Sequence, residues 1–196
     1  MNTIYLIVFY ISFKISNQET KKMSSVFAIV DYIVYRNNHD LDSQIRTMWI
    51  SKMRDTIDRN PDHRLSLESF IAKETTFGGS FFDLATTYKT GNIKFFALID
   101  EFKILRGFGG ISEYTRNVYE LNKLCLSGNR IADDFIVKVM VRHFNDCIKK
   151  GRTEIELQVV IEKKNQTFVD LMKDNGFREY HTSRNGVNVY MKYSPK

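Results

Sequence analysis

The sequence predicts a single domain of the α/β (α+β) class. Three observations carry this. β-Branched and aromatic runs alternate with segments of helical periodicity, in the order strand, two helices, three strands, helix, strand, helix, two strands. Several strands are joined by connections short enough for hairpins, which makes those neighbours antiparallel. Residues 118–151 pass from an apolar strand, through a turn-rich loop, into an amphipathic helix that ends at a glycine. The start of such a helix presents backbone N–H groups and the positive end of its dipole, a natural place for an anion.

Composition sets the outer limits. With 196 residues the chain suits one domain with a real core. Hydrophobic residues at 43% and charged residues at 27% are ordinary for a globular protein. The net charge of +6 is scattered, with no Lys/Arg block of the kind that marks a nucleic-acid arm, so nucleic acid is disfavoured as a partner. Cys125 and Cys147 are too few for a disulfide framework; both fall among apolar neighbours and read as buried free thiols in a reducing, cytoplasmic setting. No metal is expected, because His143 and Cys147 at helical spacing lack further ligands.

In chain order, residues 3–13 (TIYLIVFYISF) are apolar but shorter than the ~20 residues that span a bilayer, so no stable membrane insertion is expected. Three readings compete: a poor signal or anchor, an extra strand, or translated sequence upstream of a start at Met23. A polar linker follows at 17–22. Residues 1–22 are therefore set apart as an apolar segment and linker, and 23–196 are read as the domain.

Residues 26–35 (VFAIVDYIVY) read as a strand. Asp40 and Asp42 are placed to cap a helix whose apolar face is Leu41, Ile45, Met48, Trp49 and Met53, and Pro61 closes it. A second helix covers 65–75, with Leu65, Leu67, Phe70 and Ile71 as its apolar residues and Ser66 near its start. Residues 77–91, aromatic and glycine-bearing, stay ambiguous and are read as a helix end with a packed loop. Strands follow at 93–99, 103–111 and 118–126, the first two joined by a turn at Asp100, Glu101 and Phe102. Glycines in the second of these strands suggest a bulge or a close backbone approach. A helix at 131–150 is expected to bury Ile136, Val139, Met140, Phe144, Cys147 and Ile148. A strand at 154–160 and a helix at 165–173 come next, the helix closed by Gly176. A last hairpin pairs 177–180 with 187–193 around Asn185-Gly186.

Several of these landmarks together resemble the GNAT superfamily of N-acetyltransferases, over about residues 26–193. Residues 95–111 look like its central hairpin, and residues 119–126 (YELNKLCL) like its fourth strand. Residues 151–160 and 165–177 look like its fifth strand and last helix, with Asn165 opening the helix and Gly176-Phe177 closing it. The resemblance implies a mixed, mainly antiparallel twisted sheet of six or seven strands flanked by about four helices. It implies an N-acetyltransferase that moves an acetyl group from acetyl-CoA, its co-substrate, to an amine on a small molecule or protein, as a monomer or homodimer. The fourth and fifth strands would splay. The pantetheine arm would pair with the backbone of Leu124, Cys125 and Leu126. The pyrophosphate would sit at the following helix, among Gly128, Asn129, Arg130, Ile131 and Ala132, with Asn165 nearby. Glu120 would be the base; strand alternation puts it and Tyr119 on opposite faces. As a residue read alone, Glu120 is equally a paired or solvated surface carboxylate.

The chain departs from that pattern at two places. The family's loop motif is Arg/Gln-x-x-Gly-x-Gly/Ala, and the best match is Arg130-Ile131-Ala132-Asp133-Asp134-Phe135, with Asp133 and Phe135 at the small positions. Read alone, Asp133 or Asp134 caps the helix. The family's tyrosine acid falls on Met172, which donates no proton. These departures raise a second function, a GNAT-fold binding or scaffold protein without catalysis. A third, nucleic-acid binding, rests on charge alone. Tyr180 and His181, near the last hairpin, read either as lining a substrate cleft or, in preference, as ordinary strand residues.

Overall fold

A computed structural model describes residues 8–9, 27–31, 39–75 and 93–194. Its strands are β1 (Val8–Phe9), β2 (Phe27–Asp31), β3 (Ile93–Asp100), β4 (Leu105–Thr115), β5 (Val118–Leu126), β6 (Glu156–Glu162), β7 (Phe177–Thr182) and β8 (Asn188–Tyr193). Its helices are α1 (His39–Arg59), α2 (Arg64–Thr75), α3 (Arg130–His143) and α4 (Gln166–Asp174). Among the described residues one sheet of eight strands runs in the order β1-β2-β3-β4-β5-β6-β8-β7. All neighbours are antiparallel except β5 and β6, which α3 joins as a parallel crossover. This is the mixed, mainly antiparallel α+β architecture expected, with one strand more. The additional strand is β1, a two-residue rung beside β2 drawn from the apolar N-terminal segment.

Each face of the sheet has its own core. On one face α3 and α4 bury Ile136, Val137, Met140, Leu171 and Met172 against Ile111, Leu121, Leu157, Val159 and Ile161. On the other face α1 buries Leu41, Ile45 and Trp49 against Phe95, Ala97, Phe108 and Cys125. Strand alternation sorts these residues. Leu157, Val159 and Ile161 face α3 and α4, so Gln158, Val160 and Glu162 fall on the α1 face.

Gly109 is where β4 presses on β5. The register passes from Phe108 opposite Cys125 to Gly110 opposite Asn122, so Lys123 and Leu124 bulge opposite Gly109. Lys123 takes a left-handed φ of 47° there. A Cβ on Gly109 would meet Leu124 Cδ1 at 2.7 Å. The close approach expected from the glycines is therefore real, and it lies behind the bulge.

Several expectations change in detail. β4 runs over Leu105–Thr115 rather than 103–111, and Val139 and Ile148 are only partly buried. α3 ends at His143 and continues as a π turn, Phe144–Lys149. The wider turn shifts the helical phase, which leaves Cys147 exposed while Cys125 is buried. β6 begins at Glu156 rather than 154, because its ladder with β5 starts at Val118 opposite Glu156. Leu65, assigned to the apolar face of α2, is 82% exposed. Residues 32–35 of the first predicted strand and the open stretch 77–91 lie outside the described residues. Among those described, no helix is long and apolar enough to cross a membrane.

Candidate functional site

The parallel ladder between β5 and β6 stops early. It pairs Val118–Leu121 with Glu156–Val159 and goes no further. β5 continues to Leu126 along β4, and β6 continues to Glu162 along β8. The two strands are thus held by their outer neighbours while they part from each other. The gap opens at their C-terminal ends into a cleft of about 550 Å³. Its walls are Leu124, Cys125 and Leu126 from β5, Val160, Ile161 and Glu162 from β6, and Phe168 and Leu171 from α4. Lys52, Asp55, Thr56 and Arg59 of α1 close it from one side, and Gly128, Arg130 and Asp133 edge its far end.

Most donors of the helix start at that end are engaged. Asn129 is the N-cap of α3, and its side-chain oxygen accepts from the backbone N–H groups of Ile131 at 3.1 Å and Ala132 at 3.2 Å. Neither aspartate is the cap. Asp133 instead turns back to the loop, accepting from the Ser127 N–H at 3.0 Å, the Ser127 hydroxyl at 3.2 Å and the Gly128 N–H at 3.0 Å. It is 6% exposed, and burial pushes its carboxyl up while the Ser127 and Gly128 hydrogen bonds pull it back down. Asp134 accepts from the Asn175 amide and pairs with Lys138.

The basic side chains of the cleft are paired as well. Arg59 makes a two-pronged contact with Glu162, with nitrogen–oxygen distances of 2.9 Å and 2.7 Å to one carboxylate oxygen. Buried Asn60 donates to the other oxygen at 2.6 Å, and Lys164 donates to the Arg59 carbonyl at 3.0 Å. These contacts bolt the end of α1 to the end of β6. Lys52 lies 4.0 Å from Asp55, and Arg130 pairs with Asp174.

Glu120 stands beside the point where the strands part. It is directly opposite Gln158 in the ladder, and Gln158 Nε2 donates to Glu120 Oε2 at 3.0 Å. The Tyr180 hydroxyl donates to Gln158 Oε1 at 2.8 Å. Burial raises the Glu120 carboxyl above its ordinary value, and the Gln158 hydrogen bond offsets part of the rise. Burial likewise raises Tyr180, which keeps its hydroxyl a donor. Tyr119 turns the other way and packs on Phe144. Lys192 reaches over the Tyr180 ring at 5.2 Å, and the His181 ring lies 5.4 Å from that of Tyr190. Tyr180 is therefore tied to the candidate base, contrary to its reading as an ordinary strand residue.

Of the residues marked in the sequence, Leu124, Cys125, Leu126, Gly128, Arg130 and Asn165 all line the cleft. Asn165 also caps α4, accepting from the Phe168 N–H at 3.3 Å. Ile131 projects outward at 63% exposure, and Ala132 lies on the buried face of α3. Cys125 is no nucleophile: burial pushes its thiol up to about 12. Met172 lies wholly in the core. Among the described residues no cluster of metal-ligating side chains occurs. Gln158, Tyr180, Arg59 and Glu162 had no local signal in the sequence, since each acquires its role from a partner distant in the chain.

The slot between β5 and β6 presents a strand edge bounded by apolar side chains, the surroundings an uncharged arm such as pantetheine would need. The pyrophosphate end fits poorly, because the donors at the loop already serve Asp133 and Asn129.

No family model matches the chain, and no curated protein is similar to it in sequence. Solved structures do match. The PaiA N-acetyltransferase of Thermoplasma acidophilum, in complex with coenzyme A, superposes with a TM-score of 0.60 at 17% identity, over 86% of this chain and 99% of its own. An aminoglycoside 6'-acetyltransferase type Ii gives 0.55 at 14% identity, over 86% and 98%. A GNAT-family acetyltransferase of Staphylococcus aureus Mu50 gives 0.53 at 14% identity, over 85% and 98%. At such identities the likeness is one of fold.

Proposed function

We propose that this chain, which has the fold of the GNAT N-acetyltransferases, transfers an acyl group from a pantetheine thioester such as acetyl-CoA to an amine. The observation that carries this reading is the slot left where the β5–β6 ladder stops at Leu121 opposite Val159. A bound thioester would supply an electrophilic carbonyl. The chain's own part is to hold the arm along Leu124–Leu126, to keep water out with Phe168 and Leu171, and to take up the amine's proton.

Glu120 suits that last task. Its raised carboxyl makes it a stronger base than a solvated glutamate, and Gln158 fixes its orientation. The amine nitrogen forms a bond to the carbonyl carbon, the carbon–sulfur bond breaks, and the amine proton passes to Glu120. An alkyl thiolate is a weak enough base to leave without a protonated side chain, so Met172 at the family's acid position is no obstacle.

A second reading is favoured by Asp133: a GNAT-fold binding protein that retains the slot and performs no transfer. Thiol release from acetyl-CoA, followed over a panel of primary amines and peptide N-termini, separates the two. Amine-dependent release that Glu120→Gln abolishes supports transfer. Ligand binding with no release over the whole panel supports the second reading. Neither binding nor release removes both.

A further inference from the structure

The donor end of the cleft behaves as a site already filled from within. In a loop that receives a pyrophosphate, backbone N–H groups and basic side chains must be available to the anion. Here the N–H groups of Ser127 and Gly128 and the Ser127 hydroxyl converge on one buried carboxylate, Asp133. The first-turn N–H groups of Ile131 and Ala132 converge on Asn129. A separate observation concerns the cations. Among the described residues, the three basic side chains lining the cleft, Lys52, Arg59 and Arg130, each have a carboxylate partner in Asp55, Glu162 and Asp174. The Ser127, Gly128, Ile131 and Ala132 N–H groups and these three cations thus all have partners in the protein itself. An arriving pyrophosphate would have to displace a carboxylate of its own sign.

The slot upstream is different in kind. Its walls at Leu124, Leu126, Ile161, Phe168 and Leu171 are apolar, and its backbone edge lies beyond the last rung of the β5–β6 ladder. It suits an uncharged, amide-bearing chain, which pairs with a strand edge as another strand would.

Building on the acyl-transfer reading above, we infer that this cleft recognises its thioester donor by the acyl-pantetheine arm alone, with Asp133 standing in for the phosphate that other anion-binding loops take from the ligand. The nucleotide end of coenzyme A then adds nothing to affinity. The donor class is the acyl-pantetheine thioester, whatever carries it.

Titration calorimetry on the full chain tests this, with coenzyme A and with pantetheine as probes. In the wild type the two bind within about threefold of each other. Asp133→Ala vacates the loop and strengthens coenzyme A by about tenfold or more, the effect expected of a regained charge-assisted contact, and leaves pantetheine unchanged. Asp133→Asn keeps the shape and removes the charge, and gives a smaller gain in the same direction. Coenzyme A binding the wild type ten times more tightly than pantetheine overturns the inference and leaves the acyl-transfer reading standing. That result needs no variant, so it holds even if Asp133→Ala fails to fold. A folded Asp133→Ala with no gain for coenzyme A also overturns it. No heat from either probe in any form removes the acyl-transfer reading and this inference with it.

Discussion

Gln158 and Glu120 face each other across the β5–β6 ladder, one rung before the strands part, and Gln158 Nε2 donates to Glu120 Oε2 at 3.0 Å. The position matters because it puts a half-buried carboxylate beside the slot and gives it a donor that does not ionise. Tyr180 fixes the amide from behind by donating to its oxygen.

Removing that donor has a defined consequence. Gln158 favours the charged form of Glu120, so Gln158→Leu raises the carboxyl further. Carbon-13 NMR titration of Glu120 moves to higher pH, and the acid limb of the activity profile moves with it. Tyr180→Phe loosens the amide and gives a smaller shift in the same direction. Because burial raises the folded-state value above 4.5, ionisation of Glu120 lowers stability as pH rises through that raised value, and Glu120→Gln removes this slope. An unchanged titration in Gln158→Leu contradicts the pairing.

Gly109→Ala tests the packing behind the slot. The new Cβ meets Leu124 Cδ1 at 2.7 Å and Leu124 Cα at 3.4 Å, so the bulge side chain must move. Overpacking of this kind costs about 1–3 kcal/mol, read from denaturant unfolding. The Leu124 methyl resonances shift along with it. A neutral variant with unmoved Leu124 signals argues against the close approach.

Asn129→Ala removes the acceptor of two first-turn N–H groups and lowers stability by about 1 kcal/mol. Asp134→Ala leaves the α3 cap in place. The reverse ranking of the two at the α3 N-terminus, seen in amide exchange of Ile131 and Ala132, restores the aspartate cap expected from the sequence.

Thiol labelling separates the cysteines. Cys147 is exposed and reacts in the native protein, whereas Cys125 is buried, stays a thiol to about pH 12, and reacts only on unfolding. Two fast equivalents under native conditions contradict the burial of Cys125, and no fast equivalent contradicts the exposure of Cys147 at the π turn Phe144–Lys149.

The strand and helix order was legible because periodicity and turn residues are local signals. β5 has the boundaries expected, 118–126, and Asn185-Gly186 marks the turn of the last hairpin, where the Gly186 N–H donates to the Ser183 carbonyl. The site was legible only in part. Ser127-Gly128-Asn129 and Asp133-Asp134 offer several capping side chains within a few residues, and only the folded loop selects Asn129 as cap and sends Asp133 backwards. Gln158 looked like any polar residue of a half-buried strand; its meaning depends on the β5–β6 register. The π turn left no mark in the sequence, since one added residue per turn keeps a helical composition while rotating Cys147 out.

Hydrogen exchange along β5 tests the central claim most directly. With saturating acetyl-CoA or S-acetylpantetheine, those amides of residues 122–126 that face the gap rather than β4 become protected, while those of 118–121 change little. Unchanged exchange at 122–126 under conditions where calorimetry shows the ligand bound would mean that the slot between β5 and β6 is not where the thioester arm lies.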